Sequence, residues 1–315
     1  MKPLKALILA ATLGSSLPSF AADTESDKEF RLAASIGDID TIINLIGQGI
    51  SVDSANRFGK NALMMAIESD DLETTALLLA RGAKVNTVTV AGCTPLTFAA
   101  ENGHAAITAM LLERGAELGA RTRSGWDALS IAARYGLTDM VEQLIYKGAN
   151  PNLADKEGRT ALMHSAEKGH AGTTALLIKK GARLELKDKQ GATALIIAAS
   201  KGHPHVVGLL LERKAEVDAT DQEGATALIW AIGQNHFNTA LTLIRNGANI
   251  NQQDNDGLSA LMEAAEKPSA KFTRLLLNNR AQLDLKNSQG RTALNIAEKR
   301  RNKKVIALLK AAKTH

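Results

Sequence analysis

The sequence predicts an all-α solenoid of about nine helix–turn–helix units joined by hairpins. Three observations carry that expectation. Glycine recurs at Gly59, Gly92, Gly125, Gly158, Gly191, Gly224, Gly257 and Gly290, each 33 residues after the last, with no insertion or deletion. With each glycine as position 1, position 5 is leucine in all eight units, from Leu63 to Leu294. Position 3 is Asn61, Thr94, Asp127, Thr160, Thr193, Thr226, Ser259 or Thr292, always a side chain able to accept from the free N–H groups of a first helical turn. Length alone, 315 residues, would argue for two domains. A fixed period overrides it, because one such unit cannot bury its own apolar face and must stack on neighbours.

The first 21 residues read as a leader. Lys2 and Lys5 give a positive start, 6–17 is an apolar run broken at 14–16, and Ser19-Phe20-Ala21 puts small residues at the −3 and −1 positions of a cleavage site. The run is too short for a bilayer core of roughly 30 Å. The expectation is a bacterial signal peptide cut near Ala21 and a mature protein in the periplasm or secreted, with no membrane-spanning segment. Residues 22–26 read as a short linker and 27–315 as the repeat domain, its units starting near 27, 59, 92, 125, 158, 191, 224, 257 and 290.

Within a unit the order of elements follows from local chemistry. In 191–215, Thr193 caps a first helix with Leu195, Ala198 and Ala199 on one face, and Gly202 ends it. Val206, Val207, Leu210 and Leu211 have the spacing of one apolar face of a second helix. The alanines let neighbouring first helices approach closely. An Asp/Asn/Gly-rich stretch then forms the hairpin that leads to the next glycine.

The unit GCTPLTFAAENGHAAITAMLLERGA, 92–116, resembles the ankyrin repeat and its pattern GxTPLHxAAxxGH…LLxxGA. The resemblance covers nearly the whole chain after the leader. An opening unit holds Phe30, Ala33, Ala34, Gly37 and the run 42–46, and a final unit stops after its second helix. Nine units result, the outer two acting as caps. Three departures stand out. Proline at position 4 survives only as Pro95. The histidine of position 6 is absent, replaced by Met64, Met163, Ile196, Ile229, Met262 and polar residues, which implies a drier seam. The eighth unit reads EKPSAKF at its turn and carries Arg280 before Ala281, which implies an irregular turn and a looser fit against the last unit.

Little in the sequence points to catalysis. Walker A, HExxH and G-x-S-x-G patterns are missing, and Cys93, the only cysteine, has no identifiable base. A single cysteine also excludes a disulfide framework and a multi-cysteine zinc site. His104, His170, His203 and His236 share position 13 but stand about one helix spacing, roughly 8–10 Å, apart. A shared ion needs ligands at about 2 Å. The stretch 252–257 with Glu263 has EF-hand-like spacing, yet Gln252 is at the first ligand position and Ser259 already starts a helix. No catalytic residue, metal or cofactor is expected, and the protein is not read as an enzyme.

The formal charge of +5 is unevenly placed. Loss of the leader leaves +3; the last 26 residues carry +7, so Ala22–Gln289 is −4. The run 299–304 reads as a polar cap for the open end of the solenoid, with attraction to an anionic surface as the alternative. Ten aromatic residues in all leave too little stacking surface for nucleic acid to be expected as a ligand.

The resemblance also implies where a partner would sit: positions 32, 33, 2, 7, 10 and 11 line the concave face of ankyrin repeats. In this sequence they yield Phe58, Lys60, Cys93, Phe98, Arg123, Trp126, Arg134, Tyr135, Arg159 and Trp230 as partner-binding residues. Glu68, Glu101, Ile131, Lys156, His164 and Gln234 fall on the same face. Trp, Tyr and Arg are the types enriched at interface hot spots, and Arg123, Trp126, Arg134 and Tyr135 should be near neighbours. Phe98 and Trp230, at position 7, suit half-buried packing. The expected function is a monomeric, non-catalytic scaffold for a protein partner. Its likeness to exported bacterial ankyrin proteins implies a protective role in oxidative stress, beside catalases. An inhibitor of a toxic enzyme, a secreted effector that engages a host protein, and an enzyme with acids in its hairpins are the alternatives.

Overall fold

A computed structural model describes residues 23–313, so the leader and its cleavage site lie outside the described residues. Eighteen helices follow one another in nine pairs among the described residues. The first pairs are α1 (Glu25–Ile36) with α2 (Ile39–Gly47), α3 (Ala62–Glu68) with α4 (Leu72–Ala80), and α5 (Pro95–Asn102) with α6 (Ala105–Glu113). The middle of the chain holds α7 (Ala128–Tyr135) and α8 (Thr138–Tyr146), α9 (Ala161–Lys168) and α10 (Ala171–Lys179), and α11 (Ala194–Lys201) and α12 (Pro204–Glu212). The last pairs are α13 (Ala227–Gly233) with α14 (Phe237–Arg245), α15 (Ala260–Glu266) with α16 (Lys271–Asn278), and α17 (Ala293–Lys299) with α18 (Lys303–Ala312). The helix of the opening unit begins at Glu25, inside the stretch expected to be linker. Thr24 and Asp27 form a capping box there, and Asp23 pairs with the buried Arg31 at 2.5 Å, which ties those residues to the fold.

All eight position-3 side chains cap their helices. Each accepts from the backbone N–H three residues on, as Thr193 does from Ile196 and Asp127 from Ser130. The position-5 leucines are buried from Leu63 to Leu261, but Leu294, in the last pair of helices, is half-buried, with no further unit over it among the described residues. Met64, Met163, Ile196, Ile229 and Met262 are buried as well, so position 6 makes the seam between first helices apolar in five of the eight units; Thr97, Ser130 and Asn295 are the polar exceptions. A single apolar cluster runs from Phe30 to Leu309.

Two polar devices set the distance between repeats. At the turn between helices, His170 Nε2 lies 3.0 Å from Arg134 O of the preceding unit, His203 Nε2 2.9 Å from Glu167 O, and His236 Nε2 3.2 Å from Ser200 O. Each ring sits against the glycine that ends the preceding first helix. A Cβ on Gly169 would stand 2.6 Å from His203 Nδ1, and its φ of +76° is left-handed. The first such junction differs: Asp70 replaces the glycine at φ +55°, and His104 Nδ1 pairs with its carboxylate at 3.0 Å. At the hairpins, one backbone hydrogen bond per junction links successive tips, such as Arg123 N to Ala91 O and Lys156 N to Ser124 O, at 2.8 and 3.1 Å. Gly125 faces Lys156 N so closely that a Cβ would approach to 2.7 Å. The repeated glycine is therefore the residue that lets hairpin backbones touch.

The eighth unit has the irregular turn its sequence implies. Its first helix ends in an extended Lys267, and α16 has no side-chain cap. The turn is nonetheless held on both sides, by Lys267 Nζ on Gly233 O at 2.5 Å and by Asn302 Nδ2 on Lys267 O at 2.9 Å. Lysine does here what the turn histidine does elsewhere.

Replacement of Gly169 by alanine should cost roughly 2–4 kcal/mol, a left-handed backbone cost plus overpacking against His203. Gly181→Ala is the control, since Gly181 has φ +91° but nothing within 4 Å of its Cβ position. It should lose only about 1–2 kcal/mol. Equilibrium urea unfolding of both variants measures the difference, and equal losses would dismiss the clasp.

Candidate protein-interaction groove

The groove grows out of a repeated carboxylate. At the root of six of the eight hairpins, an Asp or Asn three residues before the repeat glycine accepts two backbone N–H bonds through one oxygen; Thr89 and Thr122 stand there in the other two and each accept one. Asp155 Oδ1 takes Glu157 N and Arg159 N at 2.8 and 2.9 Å; Asp188, Asp221 and Asp254 repeat the arrangement. The second oxygen is left to reach the groove floor. Asp155 Oδ2 meets His164 Nε2 at 3.0 Å, and Asp221 Oδ2 accepts from Trp230 Nε1 at 2.6 Å. Both partners occupy position 7. In the intervening unit position 7 is the apolar Ile197, and Asp188 Oδ2 turns to Arg159 Nε at 3.4 Å. In the eighth unit position 7 is Glu263, whose carboxyl is pushed up by burial against the pull of Lys267, with Glu266 and Asp254 adding to the rise.

Charge then links three units. Arg134 and Arg159 both hold Glu167 Oε2, at 3.0 and 3.4 Å. Burial raises the Glu167 carboxyl, but Arg159 and Arg134, with Lys168 and Lys201 behind them, together outweigh it and hold the group below its ordinary range. Arg134 also covers the Trp126 ring at 5.1 Å, and His164 lies against the same ring, 4.7 Å away centroid to centroid. A carboxylate only accepts, so His164 Nε2 donates to Asp155, and the neutral ring leaves Nδ1 as a buried acceptor with no partner among the described residues. Burial lowers the imidazole pKa; Asp155 opposes that shift without overcoming it. The side chain stays neutral at physiological pH.

Two pockets, each of about 300 Å³, open on this face. One is lined by Cys93, Glu101, Arg123, Trp126, Ile131 and Tyr135, among others, and so gathers four of the ten predicted partner-binding residues. The other, with Trp230 and Arg159 in its wall, lies between Asp188, Ile197, Lys201 and Gln234. Phe58, Lys60 and Phe98 form a third group nearer the N-terminus: Lys60 pairs with Glu68 and stands 5.3 Å over the Phe98 ring, while Phe58 is exposed beneath Arg57. Arg134 does not line the first pocket; it covers the Trp126 ring and pairs with Glu167. His164 was expected on the open face; at 1% exposure it is floor, because Asp155 draws it inward and Trp126 lies over it. Cys93 is half-buried and its thiol is pushed up by burial, which favours the protonated form at neutral pH. The carboxylates Asp155, Asp188, Asp221 and Glu167 were not among the predicted site residues. The recurrence of the three aspartates at the hairpin roots is visible in the sequence, the use of their second oxygen is not, and Glu167 lies in α9.

The ankyrin-repeat family model matches residues 30–122, 119–188, 176–254 and 228–315, which together take in almost every described residue. The chain belongs to the ankyrin repeat family. No curated protein matches it as a relative. Ankyrin repeats make this protein a protein–protein interaction scaffold in its general class, and such scaffolds are typically non-catalytic. No helix among the described residues is long and apolar enough to cross a membrane.

A neutral, buried His164 makes folding sensitive to acid. Its folded pKa lies below the unfolded value near 6.5, so the unfolded chain takes up the proton first as pH falls. Stability is full above that value and is lost as pH drops from it toward the lower folded pKa. A His164→Gln variant removes this loss. Thermal melts at neutral and mildly acidic pH should show a smaller drop for the variant than for the parent; parallel drops would show that the imidazole is not responsible.

Proposed function

We propose that this ankyrin repeat protein is a non-catalytic periplasmic scaffold that holds a protein partner along the groove between the Trp126 and Trp230 pockets, in a protective, stress-related role. The observation that carries the reading is the pocket at Trp126, where an exposed Tyr135, an exposed Arg123 and a half-buried tryptophan surround an apolar floor. Such a combination of a rigid aromatic and a cation is the usual make-up of an interface anchor. The groove is also preorganised. Asp155 and Asp188 fix the hairpins while the Arg134–Glu167–Arg159 ladder fixes the helices, so binding need not order them. Export is supported by the leader-like sequence of residues 1–21. The protective role rests on likeness to exported bacterial ankyrin proteins.

Affinity capture from periplasm, followed by mass spectrometry, tests this reading with the parent and with Trp126→Ala/Tyr135→Ala. One protein should be retained by the parent and lost from a variant of matched helicity and melting temperature. Retention by both would remove the groove as the site. Recovery of the protein only from the cytoplasmic fraction would remove the periplasmic assignment.

A further inference from the structure

The groove has a charge of its own, opposite to that of the body around it. Around Gly125, Gly158 and Gly191, positions 2, 7, 10 and 11 together with the hairpin pair (positions 32 and 33) just before each glycine amount to 18 residues, of which seven are cationic and two acidic. That is +5 on the groove of a body, Ala22–Gln289, whose total is −4. The remainder of the body is therefore −9. The same positions are neutral overall in the two units before this stretch and −3 in the two after it, where Glu223, Asp256, Glu263 and Glu266 stand.

The cations are not consumed by the fold. The ion pairs of this face use Arg134, Arg159 and, at 3.9 Å, Lys189. Arg123, Lys156, Lys168 and Lys201 are exposed and take part in none of them. Lys168 and Lys201 both lower the Glu167 carboxyl through space, so their charge reaches into the groove. Four uncommitted cations thus track the face between two apolar pockets whose tryptophans are three units apart. At about 8–10 Å per unit the pockets are roughly 25–30 Å apart, a span that an extended chain of about eight or nine residues covers.

We propose that the partner presents an acidic, extended polypeptide segment to this groove, with an apolar side chain at each end for the Trp126 and Trp230 pockets and Asp or Glu between them. The proposal rests on the groove reading above. Arg123, Lys156, Lys168 and Lys201 attract the segment, and the acidic positions beyond Trp230 limit how far it runs. Screening makes this attraction salt-dependent.

Trp126 and Trp230 are the only tryptophans of the sequence, so intrinsic fluorescence reports occupancy of both pockets directly. The full mature protein is titrated with a peptide of about ten residues, leucine at each end and glutamate between, and with the same peptide carrying lysine. Polyphosphate and single-stranded DNA serve as non-protein polyanions. The glutamate peptide should shift the emission and the lysine peptide should not. Added salt should weaken binding, and Lys156→Glu/Lys168→Glu/Lys201→Glu, all exposed positions, should weaken it about tenfold or more. Equal affinity of the triple variant and the parent overturns the proposal, as does binding of the lysine peptide. Polyphosphate or DNA binding as tightly as the peptide overturns it in favour of a general polyanion site. A cellular partner lost with Trp126→Ala/Tyr135→Ala but kept by the triple variant would leave the groove standing and dismiss the acidic segment.

Discussion

Close approach between consecutive repeats is the constraint on which everything else in this molecule depends. No unit buries its own apolar face, and the faces meet only if backbones can come within touching distance at two places. The hairpin glycines, as at Gly125, allow one contact; the turn glycines against His170, His203 and His236 allow the other. Alanines such as Ala132, Ala133, Ala198 and Ala199, all buried, keep first helices equally close between those two points. A side chain at any of these sites would tilt its unit, and the tilt would be passed along the stack. That is why the period is kept without a single insertion over eight copies.

The groove is a by-product of the same register. A hairpin aspartate has two oxygens and needs only one for its turn, so the other faces the partner side. What it meets is decided by position 7 of its unit: imidazole at His164, indole at Trp230, or, where Ile197 offers nothing, a guanidinium borrowed from the unit before. One structural solution thus produces three local chemistries in three adjacent units. Variation at a single position is enough to individualise the floor of a groove whose frame is invariant.

Much of the fold was legible in the sequence because it is local or periodic. Caps, leucines and turn glycines each repeat at fixed offsets, and each acts on backbone within a few residues, so Thr193 or Gly202 can be read from its own unit alone. The site was legible only as a face. Position number told which residues point toward the groove, and it brought Cys93, Arg123, Trp126 and Tyr135 to one pocket. It did not tell how far each side chain reaches. Arg134 and Glu167 are 33 residues apart and meet because one is long and the other short-reaching but anchored between two cations. His164 went inward for a similar reason, since its exposure was decided by an aspartate nine residues earlier. The early start of α1 escaped because Thr24 caps outside the 33-residue frame.

The eighth turn has a consequence for how the stack comes apart. A row of units coupled only to their neighbours behaves as a one-dimensional lattice, in which the weakest coupling sets where a domain wall forms. In this chain the turn at Lys267 departs from the pattern, held to each neighbour by one flexible side chain in place of a ring wedged against glycine. Beyond it lies a unit whose Leu294 is half-buried and whose last 26 residues, from Gly290, carry a net charge of +7. A wall placed there parts the last helices from a body that still contains both tryptophan pockets. Fraying from that end would leave the groove its shape.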